Sequence, residues 1–336
     1  MDFEPDPEAT SAVHAVRTWA DGALSTLPHA PSDFARAADA GLAAIGPFAT
    51  SSLGAAAAAI AELAVASSAL AGVAFTRWLV TRAERDGFFD GAPDGDLFKS
   101  GLGTVALASP SFHAGASVGS VTLDGATGAV PLAPVATYTI VLFGDRHAPR
   151  AAVASLTGVM ATPVAMAGLG LGEIPWASLA FAGRGAVRAT LVDDRGSRVA
   201  RLFDAHRILC GAWALGLAQR CFEMARADVV RRDQASQSAE FSISDVATDV
   251  DAAALAVSRA AWLSDRGGAY PVDSAAAKAF STAAAVRAEH ATLSIHGEQG
   301  DADAIRRCYL DAQFLELFGG GRAEQEDAIA SVMLEE

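Results

Sequence analysis

The chain has 336 residues, a formal net charge of −14 and 51% hydrophobic residues. That length supports a large core divided into about two or three substructures. The acidic balance, with lysine only at Lys99 and Lys278, excludes the clustered Lys and Arg that a nucleic-acid partner requires. Alanine supplies much of the hydrophobic content and favours helix. Met1-Asp2-Phe3-Glu4 has neither a basic nor an apolar leader character, so no signal peptide is expected. The most apolar run, from Gly54 to Phe75, is interrupted by Glu62. It reads as a packed helix rather than a membrane span. The expected compartment is therefore the reducing cytoplasm.

Residues 1–102 read as a shortened helical domain. Pro7-Glu8 opens a helix with Val13, Val16 and Trp19 on one face and Gly22 just beyond it. Pro31-Ser32-Asp33 offers an N-cap for a short helix ending near Gly41. Ser51-Ser52 caps the alanine-rich helix, and a further helix follows from Phe75 to Asp86. Gly91-Ala92-Pro93-Asp94-Gly95 reads as a loop.

Residues 103–198 change character. Val105–Leu107, Val118–Leu123, Tyr138–Phe143, Ala151–Leu156 and Val187–Val192 read as strands of a small barrel or sandwich. Asp124-Gly125 and Gly128 read as hairpin turns. Gly168–Gly172 is glycine-rich, but no helix-opening pattern follows, so a dinucleotide loop is not expected.

Helices return over residues 199–336. Cys210, Trp213, Leu217, Cys221 and Met224 form one apolar stripe. Ile243, Val246, Val250 and Val257 form a second, and Ile305, Cys308, Ala312 and Leu315 a third. Breaks at Gly267-Gly268, Pro271 and Gly297–Gly300 divide them into a four-helix bundle. Cys210, Cys221 and Cys308 have no metal-ligand spacing and read as small core residues.

Within this bundle, Phe203-Asp204-Ala205-His206-Arg207 and Gly216-Leu217-Ala218-Gln219-Arg220 resemble the acyl-CoA dehydrogenase family. So do Arg259–Trp262, Ala277–Phe280, Ile295-His296-Gly297 and Tyr309–Ala312, in the family's order. Val130–Ala136 carries a looser resemblance in the β region. The resemblance implies a helical N-terminal domain, a β-barrel or sandwich and a C-terminal four-helix bundle. It implies FAD, an acyl-CoA substrate and a carboxylate that removes the α-proton. Most members carry that base as Glu in a turn before the last helix, here Phe318-Gly319-Gly320-Gly321, with Gly319 at the Glu position. A minority carry it at the start of the bundle, here His206. Neither position holds a carboxylate.

The flavin motifs depart from the family pattern as well. Ala108–Gly115 keeps only Pro110 of one motif, and Arg232-Asp233-Gln234-Ala235-Ser236 keeps only the arginine of another. Ser294–Glu298 keeps Gly297, and Glu298 sets negative charge where a phosphate is expected. Arg232, Ser294, Gly297 and Gly300 are the candidate FAD contacts, reaching a flavin shared with a neighbouring subunit. His113 stands in the flavin loop and would plug it. His206 is either a substitute base or a polar residue lining a vestigial pocket. Arg207 is expected to be structural, pairing with a bundle carboxylate such as Asp311 or Asp245. Arg232 is either a diphosphate contact or a solvated arginine at a helix end.

The resemblance extends to the degenerate subunit of heteromeric dehydrogenases of bacterial steroid degradation. It implies a non-catalytic or half-site subunit, partnered by a second acyl-CoA dehydrogenase-like chain in a heterotetramer. A homo-oligomeric flavoenzyme using His206, or a flavin-free scaffold on the same fold, are the alternatives. No nucleic acid, membrane or metal enters any of these readings.

Overall fold

The computed structural model describes residues 7–45, 52–90, 101–117, 120–144, 148–165, 170–182, 188–192, 197–231, 236–268, 270–296 and 302–334. The order is helices, strands, helices. Helices α1 (Pro7–Ala23), α2 (Pro31–Ala43), α3 (Leu53–Ala66) and α4 (Ser68–Arg85) come first.

The break between the alanine-rich helix and the one after it falls at Ser67, earlier than the expected start near Phe75. Ser67 adopts an extended backbone, and its side chain accepts a hydrogen bond from Leu70 N. A serine that caps a new helix ends the old one, because its side chain competes for the backbone amides. Ser52 caps α3 as its sequence promised, accepting from Ala55 N. The expected cap at Ser32-Asp33 is absent. Pro31 itself opens α2, where its missing N–H costs nothing, and Ala30 precedes it without a side-chain cap. The expected loop at Gly91–Gly95 lies outside the described residues.

Eight strands follow: β1 (Gly103–Leu107), β2 (His113–Ser117), β3 (Ser120–Pro131), β4 (Tyr138–Phe143), β5 (Arg150–Ser155), β6 (Met160–Pro163), β7 (Trp176–Ala182) and β8 (Ala189–Leu191). They form two four-stranded sheets, ordered β1-β4-β5-β8 and β2-β3-β7-β6. Only the β1–β4 pair is parallel among these ladders. Phe112, Phe143 and Phe181 pack with Leu179 and Val141 in a satellite core of residues from both sheets, which makes the region a sandwich. The expected turns at Asp124-Gly125 and Gly128 are instead inside β3. A register shift between Ala126 and Ala129 accommodates Gly128 as a bulge, while Gly125 stays in register with Phe181.

The last five helices are α5 (Arg198–Arg231), α6 (Gln237–Asp265), α7 (Pro271–His296), α8 (Ala302–Leu317) and α9 (Arg322–Met333). The predicted stripes point inward: Cys210, Trp213, Leu217, Cys221, Val246, Val250, Val257, Cys308 and Leu315 are all buried. Close approach is built into the sequence at Gly216. A Cβ there would stand 2.1 Å from Ala61 O, so α5 and α3 touch through the glycine. Asp265, at the end of α6, accepts from Leu53 N at 2.7 Å and Gly54 N at 2.9 Å, tying the bundle to the start of α3. No helix among the described residues is long and apolar enough to cross a membrane.

Candidate functional site

Helix α8 ends at Leu317 because two glycines in succession adopt positive φ, +72° at Gly319 and +94° at Gly320. The turn is tied from α7 and α9. Gly320 O accepts from Lys278 Nζ and, at 3.0 Å, from Gln325 Nε2. Lys278 is 1% exposed, and burial pushes its ammonium down to about 8.

The turn leads directly to His206. A Cβ added at residue 319 would lie 2.4 Å from His206 Cε1 and 3.5 Å from Cys210 Sγ. The two positions singled out from the sequence therefore face each other. Around them the space is filled by aromatic rings. His206 meets Phe75 edge-on at 5.0 Å and Phe318 at 5.6 Å between centroids. Phe318 also contacts Trp176 at 5.5 Å and stacks on Phe314 at 5.8 Å. Trp213, whose Nε1 donates to Ser68 Oγ, packs against Phe75 at 5.8 Å.

Burial, then Lys278 and Arg207, push the His206 imidazole down to about 3. It is neutral at physiological pH and a poor proton acceptor there. Cys210 Sγ lies 3.8 Å from His206 Nδ1, one helical turn on, but burial pushes this thiol up to about 12. The pair therefore lacks the thiolate a nucleophile requires. The nearby carboxylate is engaged elsewhere. Asp204 accepts from Ser274 Oγ at 2.7 Å and from Tyr270 N at 2.8 Å, and Arg207 Nη1 stands 3.6 Å from it. Arg207 does pair with a bundle carboxylate, but the partner is Asp204, one turn earlier on its own helix, rather than Asp311 or Asp245. Asp311 instead accepts from Leu171 N at 3.1 Å.

Of the other candidate residues, Arg232, Gly297 and Gly300 lie outside the described residues, as does Glu298. Ser294 is exposed in the last turn of α7. The helix ends flanking those segments meet at Asp228, which contacts both Arg231 and His296 Nδ1. The described ends of α5 and α7 thus meet at one corner of the bundle. Phe112 in the eroded β motif turns into the satellite core, while His113 is exposed in β2. All three cysteines are free, and no group of three or more possible metal ligands occurs among the described residues.

The model of the acyl-CoA dehydrogenase C-terminal domain matches residues 194–334. The match is to the C-terminal bundle, and the fold as a whole is that of the acyl-CoA dehydrogenases. Among curated proteins, the probable acyl-CoA dehydrogenase YngJ of Bacillus subtilis is 31% identical over 139 residues. That stretch covers 39% of this chain and 37% of YngJ. A 3-(aryl)acrylate reductase of Clostridium sporogenes is 30% identical over 136 residues, 38% of this chain and 36% of the reductase. Fold similarity spans nearly the whole chain. The butyryl-CoA dehydrogenase of Megasphaera elsdenii superposes with a TM-score of 0.79 at 19% identity, covering 99% of this chain and 100% of that one. A chain of the ChsE4-ChsE5 complex of Mycobacterium tuberculosis gives 0.78 at 21% identity, with both chains covered fully. A chain of the Tcur3481-Tcur3483 steroid dehydrogenase, G363A variant, gives 0.78 at 17%, covering 98% of each.

Acyl-CoA dehydrogenases use FAD; the two positions at which they carry the base hold Gly319 and His206 here, and Arg232, Gly297 and Gly300, the candidate flavin contacts, lie outside the described residues. Phe75, His206, Cys210, Trp213 and Phe318 are each 8% exposed or less. They contact one another around the base positions. What sequence reasoning missed here is Phe75, Lys278 and Cys210. Lys278 had a signal, being a lone lysine in an alanine-rich stretch. Phe75 had none, since it lies on a helix far earlier in the chain.

Proposed function

We propose that this chain is a non-catalytic subunit of a heteromeric, FAD-dependent acyl-CoA dehydrogenase. A second dehydrogenase-like chain supplies the base and holds most of the flavin. The observation that carries the reading is the closed contact between Gly319 and His206. Both family positions for the base lack a carboxylate, and the space between them is packed with Phe75 and Phe318. A chain so built contributes surface rather than proton abstraction.

Two structural neighbours are complexes of two chains, which supports a second, unlike subunit. One is a steroid dehydrogenase, which favours a bulky, steroid-derived acyl-CoA as the substrate of the complex. Arg232 and the Ser294–Gly300 segment, which adjoin in sequence the corner held by Asp228, are the part of this chain offered to the shared flavin. The compartment is the cytoplasm. The domains are taken as 1–102, 103–198 and 199–336.

The test is an absorbance spectrum of the chain expressed alone and co-expressed with a dehydrogenase-like chain encoded beside it. Flavin bands and acyl-CoA oxidation are expected only on co-expression. Stoichiometric FAD and turnover by the chain alone would overturn the proposal. In that event a Phe318→Ala variant with altered turnover would favour His206 as a working group.

A further inference from the structure

A cleft of about 1070 Å³ lies between α1, α3 and α6, closed by the end of α4 and the middle of α5. None of the described rings packed about His206 lines it. Leu215, the first α5 residue to reach it, lies about 14 Å along that helix from His206. The cleft is therefore separate from the two base positions. Its floor is alanine: Ala57, Ala58 and Ala61 of α3 and Ala261 of α6. Alanine has no rotamers to change, so these side chains cannot swing across the space and fill it. Leu255 and Trp262, 56% and 44% exposed, make an apolar wall on α6. A concave, mostly apolar space with a few polar groups is the character of a small-molecule site.

The charges around the cleft are not balanced. Its acids are all engaged: Glu62 with Arg17, Asp86 with Arg82, Asp265 with the amides of Leu53 and Gly54, and Glu8 as well. Of its arginines, Arg82 is held by Asp86, and Arg259 is 3.0 Å from Asp273 at the start of α7. Arg85 and Arg266 line the cleft, are exposed, and have no carboxylate partner among the described residues. The Arg266 guanidinium lies over the Trp262 ring at 4.0 Å. A guanidinium stacked in this way is held flat and keeps its N–H edge for an anion. In a chain of net charge −14, two uncompensated cations beside an apolar floor mark a place for an anion with an apolar body.

We propose that this cleft binds a small carboxylate carried on a flat, ring-bearing apolar body. The rings lie on the alanine floor beside Trp262, where stacking adds to burial. The carboxylate meets the Arg266 guanidinium through charge-assisted hydrogen bonds, and Arg85 adds positive charge. Gln219, half-buried on the α5 side, makes no side-chain hydrogen bond among the described residues, so its amide serves an oxygen on the ring system. Two observations favour a carboxylate over a phosphate. The first amides of α3, the helix start that would hold a phosphate, are already occupied by Asp265. The acidic chain also repels a multiply charged anion more than a singly charged one. The site stands whether or not the chain is the non-catalytic partner of a dehydrogenase.

The test is isothermal titration calorimetry on the full chain, alone and in any co-expressed complex, with 2-naphthylacetate as the probe. Three controls separate the parts of the ligand: 2-naphthylacetamide lacks the charge, decanoate lacks the rings, and inorganic phosphate lacks the apolar body. The probe should bind at least about tenfold more tightly than each of them. Arg85→Gln with Arg266→Gln should weaken it about tenfold, and added salt should weaken the wild type as well. Ala58→Leu, at a half-buried helical position that leucine suits, should weaken it about tenfold by occupying the floor. Thermal melts establish that each variant is folded, and the two arginines are exposed, so their loss leaves the core intact. No binding of the probe, equal binding of any control, or wild-type affinity in either folded variant would each overturn the proposal.

Discussion

Gly319 is in van der Waals range of His206 because it lacks a Cβ: one added there would lie 2.4 Å from the ring. Its φ of +72° also belongs to the region that side chains rarely adopt. The loss of the family carboxylate at this position is therefore fixed twice, by the backbone and by the imidazole opposite. Gly319→Glu should destabilise the chain by about 2–4 kcal/mol through overpacking and backbone strain. Combining it with His206→Gly should recover part of that loss, the backbone share remaining. Thermal melts of the two variants measure this. Equal destabilisation in both would show that the ring is not the obstacle.

Asp204 holds the start of α5 to the start of α7 through Ser274 Oγ and Tyr270 N, and it neutralises Arg207. Burial raises its carboxyl, and these hydrogen bonds and Arg207 oppose that rise. Asp204→Ala leaves the mostly buried Arg207 cation without this partner and should cost about 3–5 kcal/mol. Asp204→Asn keeps the hydrogen-bond acceptor and should cost less. Chemical denaturation of both variants gives the comparison, and a null effect in Asp204→Ala would remove this link from the account.

Glu289 is fully buried, and neither carboxyl oxygen has a hydrogen-bond partner. Burial, then Cys308 and Asp311, push its carboxyl up to about 10. The raised acid stabilises the fold fully below its ordinary value of 4.5 and loses that contribution as pH climbs toward about 10. Stability should thus fall across this window. Glu289→Gln cannot titrate, so its melting temperature should rise relative to wild type between pH 5 and pH 9. The differential is on the order of a few kcal/mol. Parallel melting curves against pH for the two proteins would contradict the assignment.

Phe318 joins Phe75, His206, Trp176 and Phe314 in one aromatic cluster. Phe318→Ala should cost about 3–5 kcal/mol and open a cavity beside His206. Calorimetry measures the loss. Proton exchange at the imidazole, followed by NMR, should become faster once the ring is no longer covered.

Asp265 caps α3 from the far side of the bundle. Asp265→Ala should cost about 1 kcal/mol. Hydrogen exchange should show faster opening at Leu53 and Gly54 while the core of α5 is unaffected.

The sequence by itself determined the helical bundle. Apolar stripes such as Cys210–Trp213–Leu217–Cys221 need one buried face, and glycines such as Gly319 end helices for local reasons. It also determined the absence of a carboxylate at residues 206 and 319. The strands were legible where β-branched residues dominate, as in β4. They were not legible in β2 (His113–Ser117), β6 (Met160–Pro163) or β7 (Trp176–Ala182), whose residues become strands only through their ladder partners. Tertiary structure alone decided that His206 and Gly319 touch, that Phe75 closes over them, and that Arg207 turns to Asp204. These contacts join residues far apart in the chain, so their cause is packing between helices, which local spacing does not encode. The Gly319–His206 contact is such a case: each residue was visible in the sequence, and only the packing of α5 against the end of α8 brought them together.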